Sequence, residues 1–428
     1  MSLRNQATSL ALMHAVEVVQ PLLILPYAAK VFGPSAYGEY AYVMSIGQLS
    51  TTLVGYGFYW TAQRAAAVAR QDANAIASVV AQVTTAKAVL CIAVTCVGLV
   101  ISEPFLSIHR GLFLCVMLNG LGEILFPAWL FIGLECAWRA AVASIIARCA
   151  ALLSFITLVK SSDDLGIAVA TQSAIPLLAG LVTLRFAIAA SRGGFRSVTP
   201  VSVWRQLRQG SRGFLFTLVE TAIIIFPVPL VAHLSNYYAA GQFSVADKFV
   251  AACKPALRII QETFLPKIAY LAEHDPKAGI ALVRRASFSV VIGGALSLGL
   301  FFVAPSVILA IFGPQYAPAT FIVRVLSPLP ILMNFNVITS NLYMFNFGHE
   351  RAWAILTMSG LLVFFVVSFA LDAVFEGAAV SVASGLIARQ ALVLAVSSAF
   401  FLAFGAGRMR LPEPPGSRAT QTSAAAAS

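Results

Sequence analysis

Five charged residues, Asp247, Lys248, Lys254, Arg258 and Glu262, stand in a stretch that is otherwise rich in apolar residues. At about 100° per residue, Asp247, Lys254, Arg258 and Glu262 fall within about 80° of one another on a helix, with Lys248 on the flank. A charge at the centre of a bilayer costs roughly 2.5–3.5 kcal/mol on insertion scales, so it faces a cavity or a partner. A stripe of four along one membrane span therefore predicts a wall on which an ionic or polar solute can sit. Pro255 interrupts the stripe and frees the carbonyl of Ala251 for a water or a cation. Two alternatives need no cavity. Arg258 can pair with Glu262 at i,i+4, and Asp247 with Lys254 at i,i+7 through a bridge. Otherwise Arg258 and Glu262 reach the headgroups.

Glu17 and Glu220 form a second constellation, 203 positions apart. Buried carboxylates have raised pKa values and can carry a proton, and His14 lies one turn from Glu17. The alternative is that each glutamate hydrogen-bonds a neighbouring helix and fixes packing. Lys87, Arg148, Glu123 and Arg389 are single intramembrane charges, of which Lys87 and Glu123 can pair across helices three and four.

The elements that carry these residues are membrane helices. Hydrophobic residues make up 59% of the 428 and charged residues 11%, against about 25% charged in a soluble domain. Apolar runs of about 20 residues recur along the chain, and short alternating β-barrel segments do not dominate. The fold class is an all-α polytopic membrane protein. Polar breaks such as Gly33-Pro34-Ser35 and Gly313-Pro314-Gln315 divide it into about twelve spans. These are 8–32, 38–63, 76–101, 109–132, 137–159, 164–190, 210–234, 238–265, 279–304, 316–346, 352–371 and 377–404. The first run, interrupted by His14 and Glu17, reads as a retained helix rather than a cleaved signal.

With both termini in the cytoplasm, eighteen Lys and Arg fall on inner segments and three (Lys30, Arg110, Lys160) on outer ones. The net charge of +11 is thus an address and not a nucleic-acid footprint. The six cysteines include no Cys-x-x-Cys pair and no Cys/His metal spacing, so they read as buried thiols, and no metal or cofactor is expected. The basic break 191–209 carries Val201, Trp204, Arg205 and Arg208, which suit a short helix on an anionic membrane surface.

The chain repeats itself. GLECAW (Gly133 to Trp138) and GHERAW (Gly348 to Trp353) agree at four of six places. At an offset of 203, Pro26 aligns with Pro229, Ala29 with Ala232, Gly38 with Gly241, Tyr40 with Phe243, Glu17 with Glu220 and Arg64 with Lys267. Two six-helix lobes follow: 1–190 (spans one to six) and 210–404 (spans seven to twelve), joined by the linker 191–209 and trailed by a disordered tail, 405–428. An even helix count per lobe makes the repeats parallel, with a substrate site between them and alternating access by rocking.

LPYAAKVFGPSAYGEY (Leu25 to Tyr40) and FPAWLFIGLE (Phe126 to Glu135) resemble signatures of the polysaccharide-transporter, or Wzx-type, flippases. These belong to the multidrug/oligosaccharidyl-lipid/polysaccharide exporter superfamily. IFGPQYAPATFIVRVL (Ile311 to Leu326) resembles that family's outer loop and helix ten. The resemblance runs over nearly the whole chain. It implies a carrier of undecaprenyl-pyrophosphate-linked oligosaccharide from the inner to the outer leaflet of the bacterial inner membrane. The carrier would serve O-antigen, capsule or exopolysaccharide synthesis through a cationic cavity and coupling to H⁺ or Na⁺. Its partners would be that lipid-linked glycan, membrane lipids, the coupling cation and polysaccharide polymerase machinery.

On this reading Lys248, Lys254, Arg258 and Arg324 bind the pyrophosphate and sugar. Arg324 matches an arginine often found in that family stretch. Glu17, Glu220 and Asp247 are the ion-coupling candidates. The alternatives are a cation-coupled multidrug exporter of the same superfamily, which an acid-dominated cavity would favour, and a lipid II-type flippase, which usually carries extra helices. A membrane glycan polymerase or glycosyltransferase is disfavoured because the outer breaks are short and hold no paired carboxylates, Ser/His/Asp set or metal site.

Overall fold

The computed structural model describes residues 3–190, 198–375 and 377–405. Among the described residues every regular element is helical. The first half comprises α1 (Leu3–Gly55), α2 (Phe58–Val68), α3 (Ala73–Ile101), α4 (Arg110–Val116), α5 (Leu118–Leu125), α6 (Ala128–Gly133), α7 (Ala137–Leu158), α8 (Leu165–Ser173) and α9 (Ile175–Ala190). There follow α10 (Pro200–Ile225), α11 (Pro227–Leu234), α12 (Tyr237–His274), α13 (Pro276–Ala286), α14 (Val290–Phe302) and α15 (Ala304–Phe312). The last are α16 (Ala317–Leu326), α17 (Leu329–Asn336), a π-helical segment (Val337–Met344), α18 (Glu350–Phe375) and α19 (Ala378–Phe400).

Among the described residues nine helices are long and apolar enough to cross a membrane, or ten if the bent pair Gly213–Ile225 and Pro227–Leu234 is one span. One of these is Ala15–Gly55, but Gly33 inside it has φ 67° and ψ 174°. The chain folds back there. The Phe155 ring lies 6.2 Å from that of Tyr27, 6.4 Å from Phe32 and 6.1 Å from Tyr40. On a straight helix Tyr27 and Tyr40 would be about 20 Å apart along the axis. With two spans in α1, and with α12 counted as a span despite its charges, the architecture is consistent with the twelve expected. Large apolar side chains such as Ile92, Val97, Leu153, Ile355 and Leu362 are exposed on these helices, as lipid-facing surfaces require.

Local chemistry sets the ends. Asp72 caps α3 by accepting from the amides of Asn74 and Ala75 at 2.8 and 3.1 Å. Thr199 caps α10 and Asp275 caps α13, each ahead of a proline at the first helical position. Pro227 marks the 51° bend of span seven. The repeated stretches Gly133–Trp138 and Gly348–Trp353 lead into the first turns of α7 and α18. Glu135 has φ 58° in the first stretch and Gly348 has φ 82° in the second.

The chain divides into two compact units, residues 1–244 and 245–428. This packing division differs from the expected lobes because α10 and α11 pack on α1, and α10 also packs on α2 and α3. Residues 191–197 of the expected linker and 406–428 of the expected tail lie outside the described residues. From Pro200 onward the linker is no separate surface helix but the beginning of α10, continuous with span seven. Val201 and Trp204 are exposed on it, while Val203 and Leu207 pack against the Phe58–Trp129 cluster.

Candidate functional site

In the second unit the predicted stripe lies on α12, a helix of 38 residues. At 1.5 Å per residue it is about 57 Å long, nearly twice the hydrocarbon thickness of about 30 Å. Counted from Tyr237, Asp247 and Lys248 lie about 15 Å along, Lys254 about 26 Å and Arg258 about 32 Å. The burial follows that order. Asp247, Lys248 and Lys254 are half-buried, whereas Arg258 and Glu262 are exposed. Arg258 Nε donates to Glu262 Oε1 at 2.6 Å. That is the i,i+4 pair read as one alternative, and its exposure and depth suit the headgroup level. Asp247, Lys248 and Lys254 make no ion pair among the described residues. Arg324 is exposed on α16, with its guanidinium 5.9 Å from the centroid of the Phe301 ring.

The same unit holds a neutral polar ladder that sequence reasoning missed. Asn334 bonds Ser289, Asn336 bonds Gln390, and Thr339 bonds Ser397 at 2.7 Å. The ladder runs into the π-helical segment, a form often found at functional sites. Buried Arg389 lies on α19 beside Gln390. The available signal was the recurrence of Asn, Thr and Ser inside an apolar run.

In the first unit, Glu17 on α1 stands 3.7 Å from Arg148 on α7. Arg148 also donates to Gln20 Oε1 at 3.4 Å and to Ser144 Oγ at 3.4 Å. Gln20 donates to Gln172 on α8 at 2.7 Å, and both amides are buried. Three spans thus share one polar track. The Arg148 side chain is 18% exposed and the Glu17 side chain 37%. The carboxylate is therefore reachable, while the guanidinium is held inside by neutral acceptors. Glu220 is exposed on α10. The His14 side chain lies outside the described residues. Lys87 and Glu123, left open by the sequence, do pair, at 2.6 Å.

Among the described residues no group of three His, Cys, Asp or Glu is placed to hold a metal. The cysteines are free thiols. Cys91 and Cys253 are buried as expected, whereas Cys96 and Cys149 are exposed on lipid-facing helix surfaces.

A family model described as "Polysaccharide biosynthesis protein" matches residues 3–272. A relative from Escherichia coli (strain K12), named "Putative O-antigen transporter", is 26% identical over 411 residues, covering 94% of this chain and 97% of its own. Among solved structures, an inward-facing multidrug resistance MATE family transporter of the MOP superfamily superposes with a TM-score of 0.75 at 13% identity. That match covers 89% of this chain and 93% of the other. The lipid II flippase MurJ in an inward closed conformation gives a TM-score of 0.70 at 14% identity, covering 92% of this chain and 87% of the other. At such identities the structural likeness speaks to the fold.

Proposed function

The chain belongs to the polysaccharide biosynthesis protein family, and from that premise we propose that it is a flippase of the bacterial inner membrane and not an enzyme. Its cargo is an undecaprenyl-pyrophosphate-linked oligosaccharide repeat unit destined for O-antigen, capsule or exopolysaccharide. The observation that carries this reading is the end-to-end likeness to the E. coli relative, which leaves neither chain with a large unmatched part. A fold shared with transporters of two cargo classes supports a carrier.

The residues fit the task. Lys248 and Lys254, half-buried and without an ion pair among the described residues, supply what a pyrophosphate needs in a low-dielectric site. Arg258, paired with Glu262, and Arg324, beside the Phe301 ring, are further basic candidates for the same task. Asp247 and Glu220 are further acidic positions for the coupling cation. Glu17, with its replaceable partner Arg148, is the best-formed coupling site for H⁺ or Na⁺. The lobes work by alternating access, with both termini in the cytoplasm, and hand the glycan to a polymerase.

A strain lacking this chain tests the reading. Repeat units on undecaprenyl pyrophosphate should accumulate facing the cytoplasm, and surface polysaccharide should vanish. Single unpolymerised units at the outer surface would instead point to an enzyme acting after flipping. Unchanged glycans, with redundant flippases also removed, would turn the reading toward drug export.

A further inference from the structure

Span four is broken between α5 and α6, where Phe126 has φ −99° and ψ 89° and Pro127 follows with φ −83° and ψ 61°. Proline has no N–H, so the carbonyl of Glu123, four residues earlier, loses its helical donor. The structure fills that vacancy from another span. Lys87 Nζ, on α3, donates to the Glu123 carbonyl oxygen at 3.0 Å and to its carboxylate Oε1 at 2.6 Å. The Lys87 side chain is only 3% exposed. A Cβ on Gly55, the last residue of α1, would lie 3.3 Å from that same Oε1. The next residue, Tyr56, takes φ 49°.

Two irregular joints therefore flank one buried ion pair. Beyond them α2 and α6 pack together. Phe58, Ala62 and Ala66 share a cluster with Trp129 and Leu130, and Gly133 has room for no Cβ, which would stand 2.7 Å from the Gln63 carbonyl oxygen.

We propose that Lys87 is a positioning residue for transport: its ammonium supplies the hydrogen bond that Pro127 removes, and so fixes the joint on which the α2–α6 pair turns. The inference rests on the transport reading above for its functional half only. Charge neutralisation alone would need the carboxylate contact and not the carbonyl one. Alanine at position 127 restores the amide and lifts the constraint that a following proline puts on Phe126, so α5 can close on the Glu123 carbonyl and make Lys87 dispensable, whereas a plain ion pair would gain nothing from it.

The test is a cycle of purified full-length variants, read by thermal melting and by surface-glycan complementation in the deletion strain. Lys87→Met with Glu123→Gln removes the charge pair and leaves the carbonyl uncapped. Its melting temperature should fall by several degrees, and export should drop at least tenfold with the protein still inserted. Adding Pro127→Ala should recover much of the melting temperature and part of the export. In the wild-type background Pro127→Ala should move melting little. An equal Pro127→Ala shift in both backgrounds overturns the proposal, because the carbonyl bond then carries no coupling. If the double variant does not insert, Lys87→Met alone and Lys87→Met with Pro127→Ala give the same comparison with the carboxylate retained. Recovery of melting without any export phenotype, even on deletion, would sink the flippase reading and leave the cap standing. Recovery of melting with export still lost would sink the positioning role and leave Lys87 a structural cap.

Discussion

Gly38 and Gly241 each pack on the backbone one turn before the other. A Cβ on Gly38 would overlap the Tyr237 carbonyl oxygen, and a Cβ on Gly241 would overlap that of Pro34. Both Gly38 and Gly241, and Pro34 and Tyr237, are separated by 203 positions. The contact therefore maps onto itself under the repeat, as a local two-fold axis between the start of span two and the start of span eight requires.

Gly38→Ala and Gly241→Ala should each destabilise the protein. The obstruction is backbone, which cannot swing aside as a side chain can, so each should cost about 1–3 kcal/mol or more. Because both act on one contact, the double variant should cost less than the sum of the singles. Melting of the purified single and double variants measures this. A single variant melting like wild type would mean that the helices do not approach so closely.

Glu17→Gln should uncouple export from the ion gradient. The carboxylate is 37% exposed and stands 3.7 Å from Arg148, so that contact is worth no more than about 1 kcal/mol of stability. Exchange of lipid-linked glycan across vesicles should persist while accumulation driven by a gradient is lost. Unchanged gradient dependence would remove Glu17 from coupling and leave the Glu17–Arg148 contact as packing.

Features governed by local rules were legible in the sequence. The Gly33 fold-back, the stripe on α12 and the Arg258–Glu262 pair all follow from steric rules or from helix periodicity. The partner of Glu17 did not, because Arg148 lies on another span 131 positions away and no spacing rule links them. Gln20 and Gln172 were invisible for the same reason, being neutral residues whose meaning appears only when α1 and α8 meet. The continuity of α10 was misjudged because Arg205, Arg208 and Gln209 look like a break. In the structure the helix carries these polar residues beyond the apolar part of span seven without interruption.

Lys254→Ala should abolish export while leaving the protein inserted and abundant, and Arg258→Ala separates a contact with substrate, which predicts the same loss, from the headgroup placement, which predicts none. The Arg258–Glu262 pair is exposed and helical, worth about 0.2–0.5 kcal/mol, so its loss should barely change melting. Lys254, half-buried and without an ion pair among the described residues, loses no such contact when truncated. A defect in export with intact abundance would therefore report on substrate. Full activity in both variants would take the stripe out of the mechanism, and activity in Arg258→Ala alone would assign that residue to the headgroups.

His349 should make stability fall with acid. It sits between two spans, with the Phe400 ring at 5.4 Å and the Tyr343 ring at 6.0 Å. Burial holds its pKa below the ordinary value of 6.5. Between the lowered folded value and 6.5 the unfolded chain binds the extra proton, so stability is full above about pH 6.5 and is lost as pH falls below it. The repeat supplies the control, because Leu134 occupies the corresponding place in GLECAW. His349→Leu should fold, keep the ring contacts apolar and flatten the fall in melting temperature between about pH 7 and pH 5. Parallel pH profiles for the two proteins would mean that the imidazole gains its proton without leaving its site, and would place the acid sensitivity elsewhere.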